Sequence, residues 1–294
     1  MWDRVAEAER YPFMMDRLFR LEKHEGWGVA RVFWALAMLI TWAQRGLYFP
    51  ERYTDAGAVL RRTYIPVTDY YYFSPGTGWL AYSLLIAALL LVAFRRFTRT
   101  ALVVSLVIHM MLCFTEGLNF KGYDRLMMWQ GIALFFAPGA IDGRAEGLPL
   151  GRYLVAITYM GLYGQTGWEK IANEPTWWEG LPLMYNMVHR NFGDMFLGVL
   201  ISDWKWLMIP MSWITVVFEA GFPLFFLVRK LRPWLLLVGV AFHLGILILM
   251  NVPNFTTASL ALYPVLLMPD EYRRFRDRCL PLWGRLQRQQ GAEA

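Results

Sequence analysis

Apolar residues along this chain fall in long runs broken by short polar stretches, not in the alternating faces of a soluble domain. A bilayer crossing takes about 20 mostly apolar helical residues. Runs of that kind predict spans at 28–47, 78–94, 100–116, 124–141, 151–169, 206–228, 234–251 and 255–269. Those at 100–116 and 151–169 carry enough polar residues to face protein more than lipid. The expected fold class is therefore all-α, a polytopic transmembrane bundle of about eight spans. Ahead of it, Pro12, Phe13, Met14, Leu18, Phe19 and Leu21 interleave with Arg17, Arg20 and Lys23, which predicts a short amphipathic helix on the membrane surface. The first long apolar run starts near Gly28, too late for a cleaved signal peptide.

Charge orients the map. With the N-terminus inside, one inner cluster holds Arg4, Arg10, Arg17, Arg20, Lys23 and Arg31. The inner loops hold Arg95, Arg96 and Arg99, then Arg144 and Arg152, then Arg229, Lys230 and Arg232. The tail adds Arg273, Arg274, Arg276, Arg278, Arg285 and Arg288, so that twenty of the 29 Lys and Arg residues lie inside. That is the bias expected of cytoplasmic segments, and a seven-span map would put one basic terminus on the wrong side. The reading is an inner (cell) membrane protein with both termini cytoplasmic. It divides into an N-terminal segment at 1–27, a membrane domain at 28–269 and a basic tail at 270–294.

Composition agrees. Charged residues are 18% of the chain and hydrophobic ones 57%, against about 25% and 45–50% in soluble domains. The net charge of +6 belongs to span ends and lipid headgroups, and no basic stripe with stacking aromatics points to nucleic acid. Tyr70, Tyr71, Tyr72 and the pair Trp177–Trp178 read as interfacial belts. Cys113, near the outer end of a span, and Cys279, in the tail, lie too far apart to pair.

Ionisable groups within spans are the first functional candidates. His109, Glu219 and His243 each lie ten or eleven residues from an inner arginine, about 15 Å deep. Glu219 and His243 are expected in direct or one-water contact, tying helices together or lining a pocket. Two histidines and a carboxylate form a ligand set, but no spacing motif supports a metal. Toward the outer face lie Asn119, Lys121, Tyr123 and Asp124, with Gln130 two turns deeper. Gly161, Gly164 and Gly167 recur every third residue in the fifth span, which ends in Gln165, Trp168, Glu169 and Lys170. Small residues there permit close approach of a helix or a flat ligand. A lysine at a span end ordinarily snorkels to the headgroups.

The segment from Gly167 through Lys170, Asn173 and Pro175 to Trp178-Glu179-Gly180 resembles the vitamin K-dependent γ-carboxylase family, whose membrane part is an HTTM-type domain also found in bacterial proteins. Phe218-Glu219-Ala220-Gly221-Phe222-Pro223, and Phe242-His243 followed by Phe255, resemble further stretches of that family in the same order. The resemblance runs from the Tyr53–Gly57 loop to about Pro269. It implies a reduced vitamin K-type quinone, with O2 and CO2 as co-substrates, and carboxylation of a glutamate or other carbon acid. Lys170 takes the place of the base that deprotonates the hydroquinone, and His243 and Tyr123 are further catalytic candidates. Asn119, Asp124, Gln130, Gln165, Trp168, Glu219 and Asn254 are expected around the quinone. The animal enzymes carry a histidine near the start of the span at 124–141, where this chain has Tyr123. They also carry a large luminal domain, where this chain has a basic tail. Some bacterial relatives assist maturation of secreted peptides, so a non-enzymatic maturation or export factor is the alternative. A transporter is a third reading, but no repeat relates the two halves.

Overall fold

The computed structural model describes residues 22–57, 73–115, 121–137, 146–147, 149–190, 193 and 195–279. The expected amphipathic segment before residue 22, Asn119, Tyr70–Tyr72, Arg144 and the tail beyond Cys279 lie outside the described residues. A two-residue strand, β1 (Glu22–Lys23), leads into helices α1 (Gly26–Gly46), α2 (Phe49–Tyr53), α3 (Pro75–Ala93), α4 (Thr98–Thr115) and α5 (Gly122–Phe135). Strand β2 (Glu146–Gly147) precedes α6 (Leu150–Asn173), a 3-10 turn (Pro175–Glu179), α7 (Leu181–Val188) and α8 (Phe196–Ile201). The chain continues through α9 (Lys205–Leu227), α10 (Arg232–Leu249), α11 (Pro253–Leu260), α12 (Tyr263–Leu266) and α13 (Pro269–Cys279).

The all-α class is as read. Five helices, α1, α3, α4, α9 and α10, are long and apolar enough to cross a membrane. At 24 residues α6 has the length but carries Arg152, Gln165, Glu169 and Lys170. The 14 residues of α5 make about 21 Å of helix, short of a core about 30 Å thick.

The last expected span differs from one continuous helix. Residues 255–269 form parts of α11 and α12, with a break at Ala261–Leu262. Such a break frees backbone carbonyls that the bilayer cannot solvate, and buried side chains take them up. Gln130 Nε2 donates to Ala258 O at 2.8 Å, and the Tyr159 hydroxyl donates to Ser259 O at 2.6 Å. Asn254 bonds Gln44 at one end of α1, and His24 bonds Leu267 O at the other. The broken segment therefore runs back beside α1.

Side-chain and strand contacts sort the connections between two ends of the bundle. At one end β1 pairs with β2, Glu22 with Arg152, Glu25 with Arg276, and Arg229 and Arg232 with Glu271. These are the segments that the charge count grouped together. Gln44, Lys121 and Asn254 lie at the other end.

Trp27, Trp34 and Trp42 form one buried face of α1, near the core of the bundle. Ser74 caps α3 by accepting the Thr77 N–H at 3.3 Å, ahead of Pro75 at the first helical position. In α5 the bond runs the other way, with Asp124 in the first turn accepting the N–H of the preceding Lys121 at 2.8 Å. The closest packing is between α6 and α9. A Cβ on Gly164 would meet Pro223, and one on Gly167 would meet the backbone of Glu219 and Ala220. Gly161 faces open space instead.

Candidate functional site

Close approach at Gly167 places Lys170, one turn further along α6, against Glu219 of α9, and the two form an ion pair. Both side chains are largely buried, at 16% and 10% exposure. The Lys170 ammonium also lies over the Trp177 ring, 4.9 Å from its centroid. Trp177 is fixed in turn, because its indole N–H donates to Glu174 at 2.6 Å and its carbonyl accepts from Ser212 of α9 at 2.5 Å. Trp177 was expected in an interfacial belt, but it is buried and packs on the lysine. Only Trp178 keeps a surface position.

This group closes one side of a cavity of about 1010 Å³. Val238, Phe242, Gly245, Ile246 and Leu249 of α10 form an apolar wall opposite. Gln44, Lys121, Tyr123, Asn186 and Asn254 ring its polar end. Four of the expected site residues, Lys170, Glu219, Tyr123 and Asn254, thus line one space. Asn254 keeps a buried carbonyl oxygen without a partner.

The remaining expected residues lie elsewhere. Gln130 serves the broken helix and bonds Tyr159 at 2.8 Å. Asp124 is fully buried against Arg45 at 2.8 Å. Gln165 bonds Glu169 on the exposed face of its own helix, and Trp168 points outward at 57% exposure. A helical step of about 100° per residue explains both: with Gly164 and Gly167 inward, 165 and 168 turn away.

His243 is buried behind Phe242 and bonds the Tyr163 hydroxyl at 2.6 Å, which bonds Tyr263 at 2.8 Å. Glu219 is held by Lys170, and no direct Glu219–His243 bond is present among the described residues. The equal depth expected from spacing did not bring the three ionisable groups together, because each faces a different neighbour. His109 accepts the Trp42 indole N–H at 3.0 Å and lies beside Cys113.

His109, Cys113 and Asp124 bring ligating atoms within 4.8 Å of one another. Most of these atoms are engaged, however, with Asp124 Oδ1 the one buried oxygen left without a hydrogen bond. With Nδ1 of His109 accepting from Trp42, the neutral ring carries its proton on Nε2, where a metal would bind. Asp124 Oδ2 already takes Arg45 and the Lys121 N–H. The cluster fits a hydrogen-bonded joint between α1, α4 and α5 better than a metal centre.

No family model, curated protein or solved structure matches this chain. Its function is therefore read from the cavity. Gln44 and Asn186 are polar lining residues that the sequence reading did not single out, and Trp177 was read there only as a belt residue. The Trp-x-Glu-Gly stretch was the available signal for Trp177. Gln44, at the end of an ordinary apolar span, gave none.

Proposed function

We propose that the chain is a multi-pass protein of the inner membrane, with about eight crossings and cytoplasmic termini, whose cavity binds a reduced quinone and oxidises it with O2. The observation that carries the reading is an ion pair, Lys170–Glu219, set under Trp177 in a largely apolar cavity. Such a space suits a flat apolar ring bearing an ionisable hydroxyl, as small-molecule sites pair apolar walls with a few placed polar groups.

Tyr123 and Asn254 are the proposed hydrogen-bonding partners of the ring oxygens, and Phe242 and Trp177 the apolar walls. Lys170 acts as the base: once its proton passes to Glu219, the neutral amine takes the hydroxyl proton. Trp177 and the apolar wall exclude water from that exchange. The reduced quinone would give up four electrons to O2, one oxygen atom entering the ring as the epoxide and the other leaving as water, and the base formed on the way would remove a carbon-bound proton from a glutamate or other carbon acid, whose carbanion adds CO2. His243 enters as a positioning residue for Tyr163 and Phe242.

Purified protein given reduced naphthoquinone and O2 is expected to form epoxide. Lys170→Arg keeps the pair with Glu219, but a guanidinium with a pKa above about 12 cannot serve as a base. A folded Lys170→Arg variant is expected to lose activity. Equal activity in both proteins removes the base assignment. A folded wild type that is inactive with every quinone moves the function to maturation of a secreted peptide. Orientation has its own check. Reporters fused after Ala294 and near Gly193 are expected to report inside and outside respectively, and the reverse result overturns the sidedness.

A further inference from the structure

At the end of the bundle away from the cavity, the start of α1 meets the turn between α3 and α4. Arg31 of α1 is buried, with 5% exposure, and its Nη2 has no hydrogen-bond partner. The charged neighbour acting on it is a second arginine, Arg95. The Arg95 guanidinium lies over Gly28, one turn before Arg31, in the space that a Cβ there would fill. Arg95 holds a left-handed backbone, φ 58°, at the position after a helix that ordinarily favours glycine. The Arg96 N–H bonds Leu91 O, closing that turn. Arg99 follows, with its guanidinium over Phe135 and its Nε unpartnered.

Two like charges side by side, one of them buried, are unfavourable unless an anion joins them. Among the described residues, the acids at this end are engaged elsewhere, Glu22 with Arg152, Glu25 with Arg276 and Glu271 with Arg229 and Arg232. An anion held here would replace the missing partner. Phe94 and Phe97 flank the turn with 73% and 80% exposure, so the approach is through an apolar, membrane-facing rim. Arginine forks match phosphate oxygens, and basic pockets between spans hold anionic headgroups.

The structure assigns to Arg31 and Arg95 a binding site for the phosphate of an anionic membrane lipid. The site is separate from the cavity and independent of what the cavity binds. The lipid would neutralise the buried charge and tie α1 to the α3–α4 turn, so folding and lipid composition are linked.

The test uses the full-length protein in nanodiscs of phosphatidylcholine, with phosphatidylglycerol titrated in, and follows thermal unfolding. The wild type is expected to gain Tm saturably. Arg31→Gln and Arg95→Gln should need about tenfold more anionic lipid for the same gain. Arg273→Gln, which removes the same charge from the exposed tail helix, should respond as the wild type does. In phosphatidylcholine alone, Arg31→Gln should melt above the wild type, because an unpaired buried charge is gone. Should Arg31→Gln not fold, the exposed Arg95→Gln carries the test. Equal responses of Arg95→Gln and Arg273→Gln would mean bulk surface charge only and would overturn the site. A full gain from inorganic phosphate in phosphatidylcholine discs would overturn the lipid as its source.

Discussion

Asp124→Leu is expected to destabilise the protein by about 3–5 kcal/mol, the usual cost of removing one partner of a buried ion pair. Arg45 and Asp124 meet at 2.8 Å with 7% and 0% side-chain exposure. Arg45 also reaches Cys113 at 3.7 Å and Tyr123 at 3.4 Å, so the carboxylate sits within a wider set of contacts to the guanidinium. The same substitution strips α5 of its cap on Lys121. A double variant, Arg45→Met with Asp124→Leu, removes both charges and is expected to recover part of the loss, since apolar replacements of buried pairs are often neutral. Denaturant unfolding of the two singles and the double closes the cycle. A single Asp124→Leu as stable as the double would show that Arg45 is not dependent on the carboxylate. For contrast, Arg274→Ala at the exposed Arg274–Asp270 pair should change stability by less than about 1 kcal/mol.

The helical class was legible because apolar run length is set by the bilayer, and α1, α3, α4, α9 and α10 all follow runs of that kind. Grouping of the loops was legible from arginine alone, and the contacts of Glu22, Glu25, Arg229 and Arg232 reproduce it. The break between α11 and α12 was not legible. A run of apolar residues looks the same whether its helix is continuous or interrupted, and the carbonyls of Ala258 and Ser259 are satisfied by Gln130 and Tyr159 from distant segments. Position along the helix was readable for His109, Glu219 and His243, but rotation about the helix axis was not. That is why Glu219 meets Lys170 and His243 meets Tyr163. Lys170 and Glu219 stood apart in the sequence as a snorkelling cation and a buried acid. Only the Gly167 crossing reveals them as one pair.

That crossing is the place where a single side chain should do most damage to the site. Gly167→Leu is expected to destabilise the protein by at least about 3 kcal/mol and to abolish ligand binding in the cavity. Its first added carbon would meet the backbone of Glu219 and Ala220, which cannot swing aside as a flexible side chain can. Helices α6 and α9 must then part, and Lys170, one turn on, is carried away from Glu219. Two costs follow together, overpacking at the crossing and a weakened buried pair. Gly161→Ala on the same helix sets the baseline, since a Cβ there meets nothing within 4 Å. It should be neutral or stabilising by up to about 1 kcal/mol, because alanine favours the helix. Unfolding of both variants, with Gly167→Ala between them, measures the difference in one lipid background. Equal shifts for Gly161→Ala and Gly167→Ala would show that the two helices are not in backbone contact at Gly167. The position of Lys170 in the cavity would then need another explanation.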